Sequence, residues 1–260
     1  TAAGDQATGS GTEAEADDSE AESDVESRLE LAADTAEAAE TADRQNELET
    51  ALTEYETAIK HYQTVLDELT ENDDRHGEVQ TQLEQAKNQR QGVQEQRDNR
   101  AKLSESLTAA ESHFQTAMAA PISEKLIIPR ERYRQAYTAY EKALEILDDA
   151  DTDLLADGVI VTPSPSVEDI PDKVVDFPTV YGVVQTALEE LELETVSAIQ
   201  DADETERNRI QNSDDISPQL AYQLTSLHWW SGDSPVEFTG QEQIERRREH
   251  AKAAYQAHQS

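Results

Sequence analysis

Apolar side chains recur at alternating steps of three and four residues along the first part of the chain. The spacing is clearest from Leu48 to Leu69, where it forms a single a/d seam. A thinner stripe of alanines precedes this seam from about Val25. We therefore expect one long helix over residues 25–69, ended by the polar run at 71–74. The predicted seam consists of Leu48, Leu52, Tyr55, Ile59, Tyr62, Leu66 and Leu69.

The same periodicity predicts three further helices before residue 150. They cover about 76–99, 102–118 and 129–148. Pro121 closes the second of these, because proline disfavours helix in the residue before it. Pro129 suits the first turn of the third. Residues 25–150 are thus predicted to form an antiparallel bundle of helical hairpins, with an extended coiled coil as the alternative.

A short pattern, Ala-x3-aromatic-x2-Ala, recurs in this region around Tyr55, Phe114 and Tyr140. The spacing resembles the second helix of a tetratricopeptide repeat, although the copies do not recur at that family's period of about 34 residues. The resemblance implies a groove that binds protein. Its candidate contact residues are Tyr55, Tyr62, Phe114 and Tyr140.

The segments that flank the bundle differ from it in composition. Residues 1–24 are acidic and almost free of large apolar side chains, so we expect a disordered tail. Residues 151–166 combine an Asp-rich stretch, a short apolar run and Thr162-Pro-Ser-Pro, which is typical of a stiff linker. Residues 167–260 are then expected to form a second helical domain.

Local signals predict the elements of this second domain. A short helix is expected over 203–211. Ser217 and Pro218 have the cap and first-turn types that begin another helix. Residues 236–238 are expected to be extended, and Thr239-x-x-Glu242 has the spacing of a capping box at the start of the last helix.

The stretch 177–199 shows a second resemblance. It begins with Phe177-Pro178, continues through Ala187-Leu188 and ends with Leu193-x-Thr195-Val196-x-x-Ile199. This order resembles the helix-hairpin-helix module of DNA-repair proteins and of the C-terminal domain of RNA polymerase alpha. The resemblance implies a small helical domain of the SAM-like type.

The hairpin glycines of that family are replaced here. Thr179 and Tyr181 occupy the two hairpin positions and Glu192 the helix-ending one, while Gly182 lies one position late. In the family, hairpin amides lie close to a DNA phosphate, and glycine permits the approach. The resemblance therefore implies Thr179, Tyr181 and Gly182 as DNA-contact candidates, whereas the lost glycines favour packing against protein.

The charge balance narrows the possible functions. The chain has 57 acidic and 21 basic residues, a formal net charge of −36 that repels nucleic acids and anionic membranes. Few lysines, no cysteine and abundant acids are typical of haloarchaeal proteins, where molar salt screens self-repulsion. No apolar run approaches the roughly 20 residues of a membrane span. We expect a cytoplasmic protein of a halophilic archaeon.

The remaining candidate residues lie near the C-terminus. Trp229 and Trp230 either close the core of the second domain or anchor a protein partner. Arg246, Arg247, Arg248 and Lys252 either contact phosphate or form a solvated face that is paired with neighbouring glutamates.

Catalytic chemistry finds no support in the sequence. Without cysteine and without a close histidine pair, no zinc site is expected. No phosphate-binding glycine loop or serine-histidine-aspartate signature is present, so we expect no enzyme, no cofactor and no small-molecule substrate. The prediction is a non-enzymatic protein-interaction scaffold or adaptor that binds a partner or self-associates. The alternative is a DNA-binding accessory protein that uses the hairpin and the 246–248 helix.

Overall fold

The computed structural model confirms an all-α fold built from helical hairpins, with one two-stranded sheet. It describes residues 14–70, 73–120, 128–150, 152–164, 171–232 and 234–259. Contacts divide the chain into two compact units, residues 1–97 and 98–260. The division falls inside a helix, whereas the sequence placed it in the 151–166 segment.

In the first unit, two helices replace the one expected over 25–69. α1 spans Ala14–Arg44 and α2 spans Leu48–Glu68. Between them Asn46 adopts a left-handed φ of 58°, and Glu47 N donates to Ala42 O at 2.9 Å. This is the Schellman ending of a helix, and asparagine tolerates its left-handed position better than most residues. Arg28 of α1 pairs with Glu68, so the two helices run antiparallel.

The start of α1 also differs from the expected disordered tail. Residues 14–24 are helical, and residues 1–13 lie outside the described part of the chain. The helix gains stability further along, where Val25, Ala32 and Ala39 are buried. Packing of that face supports α1 where composition alone suggested disorder.

α3 runs without interruption over His76–Met118, where two helices were expected. The residues around 100 are Asn99-Arg-Ala-Lys102, and none of them breaks a helix. The portion up to Arg97 completes the core of the first unit, in which Val79, Leu83 and Val93 are buried. α2 residues of the predicted seam share these clusters. Leu48, Leu52, Tyr55 and Tyr62 are buried, whereas Ile59, Leu66 and the C-cap residue Leu69 are partly buried.

The second unit contains two apolar clusters. The first joins the end of α3 to α4 (Pro129–Asp149) and to α9 (Gln241–Ala257). The short apolar run of the expected linker belongs to it. β1 (Val159–Val161) pairs antiparallel with β2 (Val236–Phe238), with Val159 opposite Phe238. Segment 151–166 is therefore part of the core over its described residues, because Val159 and Val161 are buried.

The second cluster is made of short helices. α5 (Val183–Glu190), α6 (Val196–Asp201), α7 (Glu204–Gln211) and α8 (Pro218–Ser226) surround it, with 3-10 turns at Val174–Asp176 and Leu227–Trp229. Side-chain caps start three of these helices, at Thr195, Asp203 and Ser217. Its largest fully buried side chains are Phe177, Leu188, Ile199 and Ile210.

The last helix begins differently from the expectation. Gly240 is the N-cap of α9, and no side chain caps the helix. Thr239 was expected to cap it, but the Thr239 N–H instead donates to Gln243 Oε1 at 2.9 Å. None of the described helices is both long enough and apolar enough to span a bilayer.

Candidate functional site

The aromatic residues expected to form a protein-binding groove lie in the interior. Tyr55 is 1% exposed, Tyr62 4%, and Phe114 and Tyr140 are fully buried. Phe114 meets the Tyr133 and Tyr140 rings edge-on, with centroids 6.0 and 6.1 Å away. These rings contact their own chain, and the large areas they bury stabilise it. We correct their assignment from surface residues to core residues.

The hairpin that precedes α5 presents the exposed apolar surface of this region. Phe177 and Val180 are buried and anchor it. Tyr181 and Val183 face outward, with 73% and 64% of their surface exposed. Between them Gly182 takes a φ of 57°, which explains why glycine occupies this position. Buried residues hold the base of the hairpin, and its tip is apolar and exposed. The hairpin is therefore a candidate surface for contact with another molecule.

At the end of α5 the backbone adopts a left-handed conformation, which is the conformation that glycine adopts most easily. Glu192 adopts a left-handed φ of 59°. Leu193 N donates to Leu188 O at 3.0 Å and Glu192 N to Glu189 O at 3.1 Å. These two bonds form a Schellman ending, in which glycine is the usual left-handed residue. Glu192 occupies this left-handed position, which is the one aligned with the helix-ending glycine in the sequence comparison above.

The three arginines of α9 point in different directions. Arg246 is exposed and lies 2.5 Å from Glu242, while Arg248 lies 2.6 Å from Glu249. The Arg246–Glu242 pair has the helical spacing of the solvated-face interpretation, whereas the Arg248 side chain is only 29% exposed and pairs with its chain neighbour. Lys252 Nζ lies 5.9 Å from the centre of the Tyr137 ring. These cations already have partners within α9 and α4.

Arg247 enters the protein interior. Its side chain is 12% exposed, and its Nε lies 3.1 Å from Oε1 of the fully buried Glu111. Its guanidinium carbon lies 5.0 Å from the centre of the Phe238 ring. We therefore correct both expectations for Arg247, because its side chain lies neither on a solvated face nor free to contact phosphate. It is a structural residue, because removal of its charge would leave Glu111 buried without a cation.

The DNA-contact candidates are carried by different elements. Thr179, Tyr181 and Gly182 belong to the hairpin, which is anchored in the cluster of short helices. α9, which carries the arginines, is anchored in the other cluster through Ile244 and Ala251. The hairpin and the arginines are therefore held by different parts of the core of the second unit.

A polar network that the sequence did not reveal lies beside Arg247. Tyr140 donates its hydroxyl to Glu111 Oε1 at 2.6 Å. Burial, together with the Glu111 charge, raises the pKa of Tyr140 well above its usual range. Glu111 follows Ala110 in the aromatic repeat, and Gln115 follows Phe114 in the same way. Each of these polar residues directly follows a residue of the buried stripe of α3. This adjacency was the sequence signal that the buried face of α3 also includes Glu111 and Gln115.

Trp229 and Trp230 are both half-buried. The Trp229 ring lies 4.7 Å from the His250 ring of α9 and 5.9 Å from Phe114 of α3. Trp230 packs against both apolar clusters. The contacts agree with the interpretation that these tryptophans hold the last helix on the core.

His250 joins this aromatic group to a hydroxyl pair. Its Nε2 lies 2.8 Å from Ser226 Oγ, which in turn lies 2.9 Å from the Tyr133 hydroxyl. Burial of the ring lowers the pKa of His250 to about 4, so the ring is neutral at pH 7. Ser226 is fully buried. A nucleophile in this position could not reach a substrate, and among the described residues His250 Nε2 is partnered by the Ser226 hydroxyl and the Tyr222 carbonyl and not by a carboxylate.

A cleft of about 630 Å³ opens on the other side of His250. It lies between α7, α8 and α9. Its walls carry Glu204, Arg207, Tyr222, Trp229, Glu245 and Arg246. The sequence indicated neither the cleft nor Arg207, Tyr222 and Glu204, because the cleft depends on how three separate helices pack together.

Within the described residues, no group of histidines and carboxylates is arranged to hold a metal ion. Comparison with known proteins gives no match to this chain among family models, curated proteins or solved structures. The function is therefore argued from the geometry of the surfaces described above.

Proposed function

We propose that this chain is a non-enzymatic protein-interaction scaffold of a salt-adapted archaeon and that its hairpin contacts the partner. One observation carries the proposal. Tyr181 and Val183 stand exposed on either side of Gly182, on a hairpin held by the buried Phe177 and Val180. An exposed aromatic residue on a rigid support is the kind of anchor that dominates binding energy at protein interfaces.

The charge of the surrounding segment favours protein over nucleic acid. Between residues 171 and 202, seven acidic residues accompany a single basic one, Lys173. A DNA phosphate that approached the hairpin would meet this negative field. A protein partner can match it with its own basic side chains around the apolar contact.

Photo-cross-linking from the hairpin tests this proposal. In the full chain, p-benzoylphenylalanine replaces Tyr181, and the protein is irradiated in molar KCl with an extract of the cells that produce it. We expect a discrete adduct whose mass identifies the partner, or a second copy of the chain. The matched control carries the same probe at Ile160, which is exposed to 64% on β1.

An adduct formed at position 181 and lost in the Val183→Ser background would support the hairpin as the contact. The absence of an adduct at 181, or the same adducts from 181 and from 160, would overturn it.

DNA binding is the second candidate function. The observation that favours it is the left-handed backbone at Gly182 and Glu192, with φ of 57° and 59°, at or next to positions where the helix-hairpin-helix family has glycine. A hairpin with such a backbone could direct amides at a phosphate. The bulk of Tyr181 at the tip and the acidic surroundings oppose it, so we rank this function below protein binding.

A further inference from the structure

We propose that the cleft between α7, α8 and α9 binds an arginine or lysine side chain from a basic segment of a partner protein. The cleft is built from helices other than the hairpin and α5. This inference therefore adds a second contact, of defined chemistry, that does not depend on the hairpin. It rests on the charge of the cleft, its aromatic walls and its size.

The charged residues of the cleft leave a negative excess. Four carboxylates line it against two guanidinium groups. The carboxylates are Glu204, Glu242, Glu245 and Glu249, and the guanidinium groups are those of Arg207 and Arg246. A cation that enters the cleft therefore meets a favourable potential, whereas an anion meets an unfavourable one.

The two arginines are held by other groups of the protein. Arg246 lies 2.5 Å from Glu242, so its charge is paired. Arg207 donates to the Ala202 carbonyl, a neutral group, so its charge still offsets one of the remaining carboxylates. Among the described residues, Glu204 and Glu245 form no ion pair; Glu245 accepts only a neutral amide, from Gln241 at 3.0 Å. These two carboxylates are the ones left to meet the charge of a ligand.

Aromatic rings form part of the wall beside these carboxylates. Trp229 and Tyr222 both line the cleft, and both pack against His250, with centroids 4.7 and 5.5 Å from its ring. Their positions are fixed by this packing before any ligand arrives. Tryptophan and tyrosine faces attract guanidinium and ammonium groups, most strongly where water is displaced.

The histidine at the base of the cleft does not oppose a cation. Because burial lowers the pKa of His250 to about 4, the ring is uncharged at neutral pH. The neighbouring His228 ring, which lies 5.2 Å from Trp229, has its pKa lowered by burial as well. The negative excess of the cleft therefore persists at neutral pH.

The size of the cleft favours a peptide over a free ion. A volume of about 630 Å³ lies within the range of sites that hold drug-sized molecules, and a single guanidinium group would leave most of it empty. A long basic side chain with the backbone on either side of it would occupy this space. Such a ligand combines charge with apolar contact along its stem.

A peptide titration tests this inference on the full chain. The probe is the capped peptide Gly-Arg-Gly-Arg-Gly, titrated in molar KCl while tryptophan fluorescence is recorded. We expect a saturable change, because Trp229 lines the cleft. The double variant Glu204→Gln/Glu245→Gln should weaken binding about fivefold, as expected for the loss of two partly exposed ion pairs.

Two controls distinguish binding in the cleft from an effect of net charge and from binding at the hairpin. Glu189→Gln/Glu190→Gln changes the net charge equally on the exposed face of α5 and should leave the affinity unchanged. Tyr181→Ser should also leave it unchanged, so that failure of the hairpin contact and failure of the cleft can be told apart. Absence of a saturable signal, equal affinity of the Glu204→Gln/Glu245→Gln variant and the parent, or equal binding of a Gly-Glu-Gly-Glu-Gly peptide would overturn the proposal.

Discussion

Arg247 shows how a residue that looks like part of a basic patch can serve the core. The three consecutive arginines gave no sign that the middle one turns inward, since its neighbours on α9 are paired at the surface. The inward direction follows from Glu111 on α3, a partner that sequence spacing cannot reveal. A buried pair of this kind depends on both members being present, because either charge alone is costly to bury.

We predict that Arg247→Met destabilises the protein by about 3–5 kcal/mol, because it leaves the Glu111 carboxylate buried without its cation. Arg246→Met removes only an exposed pair and should change stability by about 0.5 kcal/mol or less. The measurement is the free energy of unfolding in urea at constant KCl.

A second substitution makes this prediction sharper. Glu111→Leu/Arg247→Met removes both charges and should recover most of the stability lost by Arg247→Met alone. Equal stability of Arg247→Met and Arg246→Met would show that the Arg247–Glu111 contact contributes little.

The helices were predictable where their apolar faces are regular, and less so at their ends. The seam of α2 and the start of α8 at Ser217-Pro218 follow from spacing and cap chemistry alone. The turn at Asn46 was missed because the periodicity continues across it and only one left-handed residue marks it. The break expected near residue 100 was wrong, because a weak apolar pattern is not a stop signal when no helix breaker is present.

The strands illustrate a different limit. Residues 159–161 were recognised as a short apolar run and residues 236–238 as an extended piece. Their pairing was not predicted, because the two segments are far apart in sequence. Long-range pairing brings 159–161 into the core and thereby converts an expected linker into part of the second unit. The candidate surfaces show the same pattern: the hairpin lies in one continuous segment and was predictable, whereas the cleft draws on three helices and was not.

The end of α5 gives a prediction at the level of the element. Glu192 holds a left-handed φ of 59° that costs a side-chain-bearing residue about 1 kcal/mol. We therefore predict that Glu192→Gly stabilises the protein by about 0.5–1 kcal/mol in thermal or urea unfolding, since glycine adopts this conformation without strain.

The matched control is Glu194→Gly, at an exposed position outside the left-handed region, which should lower stability or leave it unchanged. If Glu192→Gly were as destabilising as the control, the left-handed ending of α5 would be incorrect.

At the scale of the whole molecule, the all-α fold class was predictable, whereas the boundary between the two compact units lies at a place that the sequence did not mark. Apolar periodicity specifies that the chain is helical, but a boundary within α3 leaves no mark in composition, since one unbroken helix supplies side chains to both units. The net charge of −36 is a property of the whole chain and not of any one element. It disfavours nucleic acid as a partner and is consistent with the proposal that the hairpin and the cleft bind protein.

The central claim is that the hairpin contacts protein and not DNA. Fluorescence anisotropy tests it most directly. A labelled DNA duplex is titrated with the full chain at a series of KCl concentrations. The series begins at the lowest KCl at which circular dichroism shows the protein folded and ends at molar KCl. Our account predicts no rise in anisotropy at any of these concentrations, because the segment around Tyr181 is acidic and Arg247 is buried. Saturable binding that persists as KCl rises and is lost on substitution of Tyr181 and Gly182 would contradict it.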